Sequence, residues 1–319
     1  MLPIVLWALL GWNSAVVEAQ ADDLQAVDLP DLEKALEQHE LGLIRAWLDS
    51  LDGERGPTAD ELRARAWLAH HDGQIRRANQ LIDQAVELRP ERPDLRLDRS
   101  RLRSAMLDDV GVFKALRIAR RVREDLENAF EADPENVAVL RALMVFHRKA
   151  PAIAGGDDQR ARQLGEHLDR LAPAHAGFDR ARRLAAQDRP GQALKELAVA
   201  IDQAGSVPLE WRSLHASLLR QRQCFDEALA VLDAMLAESP AFGPAWYELG
   251  LISDHSGRHT RRGIEALGRY LELPYWPGDP DPAQAWWQLG KLYQRAGQWA
   301  QAVQARARAL QLDPDLADA

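Results

Sequence analysis

Near its C-terminal end the chain reads WWQLGKLY, which sets Trp286, Leu289, Gly290 and Tyr293 at helical spacing, followed by Gly297, Ala302, Ala309 and Pro314. The same order stands upstream as Trp246, Leu249, Gly250, Gly257, Ala266 and Pro274, and Ala216, Ala228, Leu232 and Pro240 precede it. Pro240 and Pro274 are 34 residues apart. A recurring unit of this length constrains the fold more than any single motif. One amphipathic helix pair cannot bury its apolar face alone, so successive pairs must stack into a continuous core.

The small residues Gly250, Ala228 and Ala302 let two helices approach, and Trp246, Trp286 and Leu289 fill the gaps between them. Each proline after a second helix lacks an N–H and disfavours helix at the residue before it, so it closes one unit and opens the next. The phasing runs back through Ala181, Ala193, Leu197 and Ala200, then Ala161, Leu168 and Pro173, then Ala129 and Pro134, and finally Ala66, Gly73, Ala78, Ile82, Ala85 and Pro90. No alternating strand pattern of useful length accompanies it.

This pattern of Trp, Leu-Gly, Tyr, Ala, an aromatic and Pro resembles the tetratricopeptide repeat, with Arg306 standing where the family carries an aromatic. The resemblance implies an all-α solenoid, a right-handed superhelix of six to eight helix-turn-helix pairs. It also implies a non-catalytic scaffold that takes a peptide or partner protein on its concave surface. The expected organisation is a signal peptide at 1–21, a divergent helical pair at 22–58 and the repeat array at 59–319. An irregular region at 94–113 and a loop insertion at 273–283 interrupt the array, with Trp276 inside the insertion.

The N-terminus is apolar from Leu2 to about Leu10, then turns to small residues, and Ala19-Gln20-Ala21 has the form of a signal-peptidase site before Asp22 and Asp23. It predicts export to the periplasm with no stable membrane insertion after cleavage. The alternative is an uncleaved N-terminal anchor. The apolar run is short for a membrane span. A net charge of -9 argues against nucleic acid as a partner, because binding there draws on phosphate neutralisation. The basic run Lys114, Arg117, Arg120, Arg121 and Arg123 reads as a solvated helix face. The one cysteine, Cys224, excludes an internal disulfide and a Cys-x-x-Cys metal motif.

The stretch FHRKAPAIAGGDDQRA, from Phe146 to Ala161, poses the sharpest functional question. A phosphate loop would need Lys and Ser or Thr after its glycines and a strand before them. Here two carboxylates follow the glycines and a helix precedes them. The expected reading is a long turn: Ala150-Pro151 ends the first helix, Gly155-Gly156 permits positive φ, and Asp157 or Asp158 caps the second helix. The stretch also looks like one found in a set of exported bacterial repeat proteins.

No residues assemble into a recognisable catalytic motif. His70-His71-Asp72 reads as a solvated helix end, and Asp254, His255 and His259 as a turn built around Gly257. The expectation is therefore no enzyme activity, no cofactor and no resident metal. The partner-binding groove is expected at Trp67, Phe178, Arg182, Arg220, Tyr247, Trp287 and Lys291, with His70, Phe146, His147 and Ser217 on the same face. Trp287 leads that set, because Trp286 takes the buried position and leaves its neighbour to the groove. The Lys and Asn arrangement of chaperone-tail binders is absent: Phe178, Arg182, Ser213, Ser217, Tyr247 and Leu251 stand there instead. The last helix carries Gln301, Gln304, Arg306, Arg308 and Gln311, so it either covers itself or leaves an open end that docks a partner or a second copy, as a homodimer. Two other readings remain open: a structural accessory subunit of an envelope assembly complex, and a metal-binding or enzymatic protein built on the turn histidines.

Overall fold

A computed structural model of the chain describes residue 35 and residues 41–51, 56–107, 110–275 and 279–318. The signal-peptide reading and Trp276 lie outside these residues. Among them the fold is entirely helical. A helix α1 (Leu41–Asp49) comes first. It is followed by pairs α2 (Ala59–His71) and α3 (Ile75–Leu88), α4 (Pro93–Ser104) and α5 (Val112–Ala132), and α6 (Val137–Lys149) and α7 (Asp158–Leu171). Then come α8 (Pro173–Ala186) and α9 (Pro190–Gln203), α10 (Leu209–Gln221) and α11 (Phe225–Glu238), α12 (Gly243–Ser256) and α13 (Thr260–Glu272), and α14 (Pro282–Arg295) and α15 (Trp299–Leu312). Two compact units divide the chain between Gly177 and Phe178, inside α8.

In the first unit each helix packs on the next, and α4 lies against both α2 and α6, so first helices form one layer and second helices another. Its core runs through Val122, Leu126, Leu140, Leu143, Leu164 and Leu168. The caps are local. Thr58 accepts from the Glu61 amide at 3.2 Å, and Asn136 accepts from the Val139 amide at 3.1 Å. Each satisfies an amide that the helix leaves free in its first turn.

In the second unit α12 packs on both α10 and α14 in the same manner. Phe178 and Trp211 stack at 4.9 Å and 9° at one end of this unit's core, and both are fully buried. Leu249, Ile252 and Ala266 continue the core, and Tyr247, Leu267, Tyr270 and Leu289 carry it on, with Trp286 half-buried against them. A Cβ on Gly250 would stand 2.4 Å from Leu267 Cγ, which shows how closely α12 and α13 approach.

The turn between paired helices uses a left-handed residue again and again. Gly73, Gly257 and Gly297 supply it at φ between +65° and +74°. Asp188 and Gln223 hold the same region at 55° and 61°, where an L side chain crowds its own backbone. The second helix α5 is 21 residues long, against 13 or 14 for its counterparts among the described pairs.

Candidate functional site

The first-helix layer is where a repeat solenoid receives a partner, and here it is knitted together by ion pairs. In the first unit Asp98 on α4 is almost fully buried. It accepts from Arg63 Nε at 2.6 Å and from Trp67 Nε1 at 3.0 Å, both on α2. Arg101 closes on its other oxygen at 3.2 Å. In the second unit Arg182 on α8 binds Glu210 on α10 at 2.9 Å. Arg220 on α10 binds Glu248 on α12 at 2.5 Å. Asp254 on α12 binds Arg295 on α14 at 3.1 Å.

These contacts revise the expected groove. Trp67 is 3% exposed and Phe178 is fully covered, so both serve packing rather than a ligand surface. Phe146 and His147 are likewise buried, and His70 lies inside the first unit, not at a solvated helix end. Burial and the neighbouring His71 lower the His70 pKa to about 4. Tyr247 is 8% exposed, its ring tilted against Tyr270 at 5.4 Å. Arg182 and Arg220 reach the layer but are spent on their carboxylates. Spacing placed these residues on the right helices. It could not show which contacts the next helix would take.

Trp287 and Lys291 differ. They share a face of α14 at i and i+4 spacing, and both are half-exposed. Lys291 has no ion pair or hydrogen bond among the described residues. The Arg306 guanidinium carbon lies 5.5 Å from the centre of the Trp287 ring. Its side chain crosses Gly290, where a Cβ would stand 2.9 Å from Arg306 Cγ, and its Nη2 donates to Gln294 Oε1 at 2.6 Å. Arg306 thus fills the aromatic position with its aliphatic stem and a cation over an indole.

The turn histidines are occupied structurally. His255 Nδ1 meets the Leu251 carbonyl at 2.7 Å, Asp254 holds Arg295, and His259 sits in the left-handed region at the start of α13. No group of three or more His, Cys, Asp or Glu side chains among the described residues is placed to hold a metal ion.

The glycine-rich turn is a structured element. A short 3-10 segment, Ala152–Ala154, leads into Gly155 at φ 96°, and Asp157 caps α7 by accepting from the Gln159 and Arg160 amides at 2.8 and 3.0 Å. Gly156 is required for a different reason from the one expected. Its φ is not positive, but a Cβ there would lie 1.8 Å from the Ala150 carbonyl oxygen. Four of the turn's amides are engaged within it: Ala154 and Gly156 on the Pro151 carbonyl, Gly155 on Ala152 and Asp157 on His147. Beside the turn lies a polar cavity of about 510 Å³. A second cavity of about 330 Å³ in the other unit is bordered by Arg220, Gln223 and His255.

Stacked helix pairs, close-approach glycines and left-handed turn residues define an α-solenoid of the tetratricopeptide type. Solved structures with this fold include the human IFIT1 dimer with PPP-AAAA, at 17% identity over 91% of this chain and 69% of that one, TM-score 0.51. An IFIT1 monomeric mutant with Gppp-AAAA matches at 17% identity over 86% of this chain and 67% of that one, TM-score 0.51. A tetratricopeptide repeat protein from Parabacteroides merdae matches at 14% over 81% and 94%, TM-score 0.43. At 17% identity the likeness to the two IFIT1 structures shows the fold alone. No family model and no curated protein matches the chain.

Proposed function

We propose that this chain is a non-catalytic interaction scaffold of the cell envelope that holds a polypeptide partner on its first-helix face. The observation that carries this reading is the pair Trp287 and Lys291: an indole and an ammonium without a partner among the described residues, half-exposed on one face of α14. An aromatic with a neighbouring cation is a common anchor in protein interfaces. Within the second unit the ion pairs between first helices hold that face in one shape before binding, which lowers the ordering cost. Net charge -9 disfavours the alternative of a nucleic-acid ligand.

The test is crosslinking of the intact protein in envelope extracts against the double variant Trp287→Ala, Lys291→Ala. Loss of one dominant partner, with the circular dichroism spectrum unchanged, supports the reading. An unchanged partner set overturns it. Export is tested by sequencing the N-terminus of the protein recovered from the envelope. A start at Asp22 supports it, and a start at Met1 in a cytosolic fraction refutes it.

A second copy is the partner we propose for α15. Trp299 is 64% exposed and Val303 68%, one turn apart on one face. Light scattering at high concentration should give a dimer that Val303→Glu dissociates. A monomer throughout removes this proposal.

A further inference from the structure

The cavity beside the glycine-rich turn is a built site, separate from the first-helix face. Three elements make it: α5 contributes Arg123 and Glu127, α6 contributes His147, and the turn with the first residues of α7 contributes Gly155, Asp157 and Arg160. Its volume of about 510 Å³ lies in the range of small-molecule pockets.

The lining is unusual in what it leaves unused. Arg123 makes no ion pair and no hydrogen bond among the described residues. Its guanidinium rests on Gly155, where a Cβ would stand 2.5 Å from Nη1. Arg160 reaches Glu127 only at 3.5 Å. His147 is 5% exposed and its Nε2 lies 3.0 Å from Glu127 Oε1. The hydrogen bond from His147 is the main reason the Glu127 carboxyl sits below its usual range. An ionised carboxylate only accepts, so Nε2 carries a proton, and in the neutral imidazole Nδ1 then presents a lone pair. That Nδ1 is buried and has no partner among the described residues. Asp157 spends Oδ1 on the α7 cap, and its second oxygen has no partner among the described residues.

We propose that this cavity binds a small carboxylate that also carries a hydroxyl or ammonium group. The guanidinium of Arg123, with Arg160 beside it, takes the carboxylate in the forked geometry that suits it. The ligand's hydroxyl or ammonium donates to His147 Nδ1 or to the open oxygen of Asp157. Inorganic sulfate fits less well, because it has no hydroxyl or ammonium to donate to these acceptors.

Isothermal titration calorimetry on the full chain, with malate and aspartate as probes and sulfate for comparison, tests this. The expected result is saturable binding of malate or aspartate, weakened at least about tenfold by Arg123→Gln, a loss of ~1.4 kcal/mol. Arg160→Gln should weaken it in the same direction. Arg121→Gln, an exposed arginine of the same helix, should leave it unchanged. Gly155→Ala should also weaken it by displacing the Arg123 guanidinium. Retained melting temperature in Arg123→Gln and Arg160→Gln separates lost binding from lost folding. No saturable binding of either probe overturns the proposal. So does wild-type binding in Arg123→Gln, or sulfate binding as tightly as malate, which would mark an adventitious ion only.

Discussion

Arg220 reaches from one first helix to the next and sets its Nε 2.5 Å from Glu248 Oε1. Both side chains are largely buried, at 14% and 10% exposure. This contact joins α10 to α12 within the first-helix layer of the second unit. Burial pushes the Glu248 carboxyl up and Arg220 opposes it. We take the contact as an ion pair because the fork meets the carboxylate at hydrogen-bond distance.

Removing one partner leaves a buried charge uncompensated. Arg220→Ala should therefore destabilise the second unit by ~3 kcal/mol, whereas the apolar double replacement Arg220→Met, Glu248→Leu should cost far less. Urea denaturation of the three proteins checks this. Equal midpoints for the single and double variants would contradict it.

His70 should make the fold acid-sensitive. Its pKa falls from 6.5 to about 4 on folding, so between those values the unfolded chain binds more protons than the folded one. Stability is then complete above pH 6.5 and lost as pH falls toward 4, by up to ~3 kcal/mol at ~1.4 kcal/mol per pH unit. His70→Gln should flatten this part of the profile. The check is the difference in melting temperature between pH 7 and pH 5 for each protein.

At Gln223, φ is 61°. Gly73 and Gly297 occupy the corresponding left-handed turn position in other pairs. Gln223→Gly removes the crowding of Cβ against the backbone at some entropic cost, for a net gain of ~0.5–1 kcal/mol. Chemical denaturation measures it, and a loss of stability would show that the glutamine side chain contributes more than its backbone costs.

Arg306 covers Gly290 and Trp287 at once. Truncation to alanine should expose both and destabilise the last pair by ~1–2 kcal/mol, through lost packing as much as lost charge. Amide exchange should accelerate in α15 while α10 and α11 keep their protection. Uniform acceleration would mean that α15 does not open separately.

The fold was legible because a repeat states its own period. Pro240 and Pro274, the Trp-x-x-Leu-Gly pairs and the small residues at 228, 266 and 302 require stacked helix pairs whatever surrounds them. Helix caps were equally local: Asp157 needs only the two amides beyond it to end the long turn. The candidate surface was legible only as a choice of helices. Whether Arg182 or Arg220 faces a ligand depends on a carboxylate 28 residues away. Trp67 is buried because Asp98 stands on the next first helix. Gly156 gives no sign in its own neighbourhood that the Ala150 carbonyl folds back against it. Local spacing dictates backbone hydrogen bonding and the faces of helices. Only tertiary contact decides which polar groups on those faces are satisfied within the protein. It also decides which groups, such as Arg123 and His147 Nδ1, are left without a partner among the described residues.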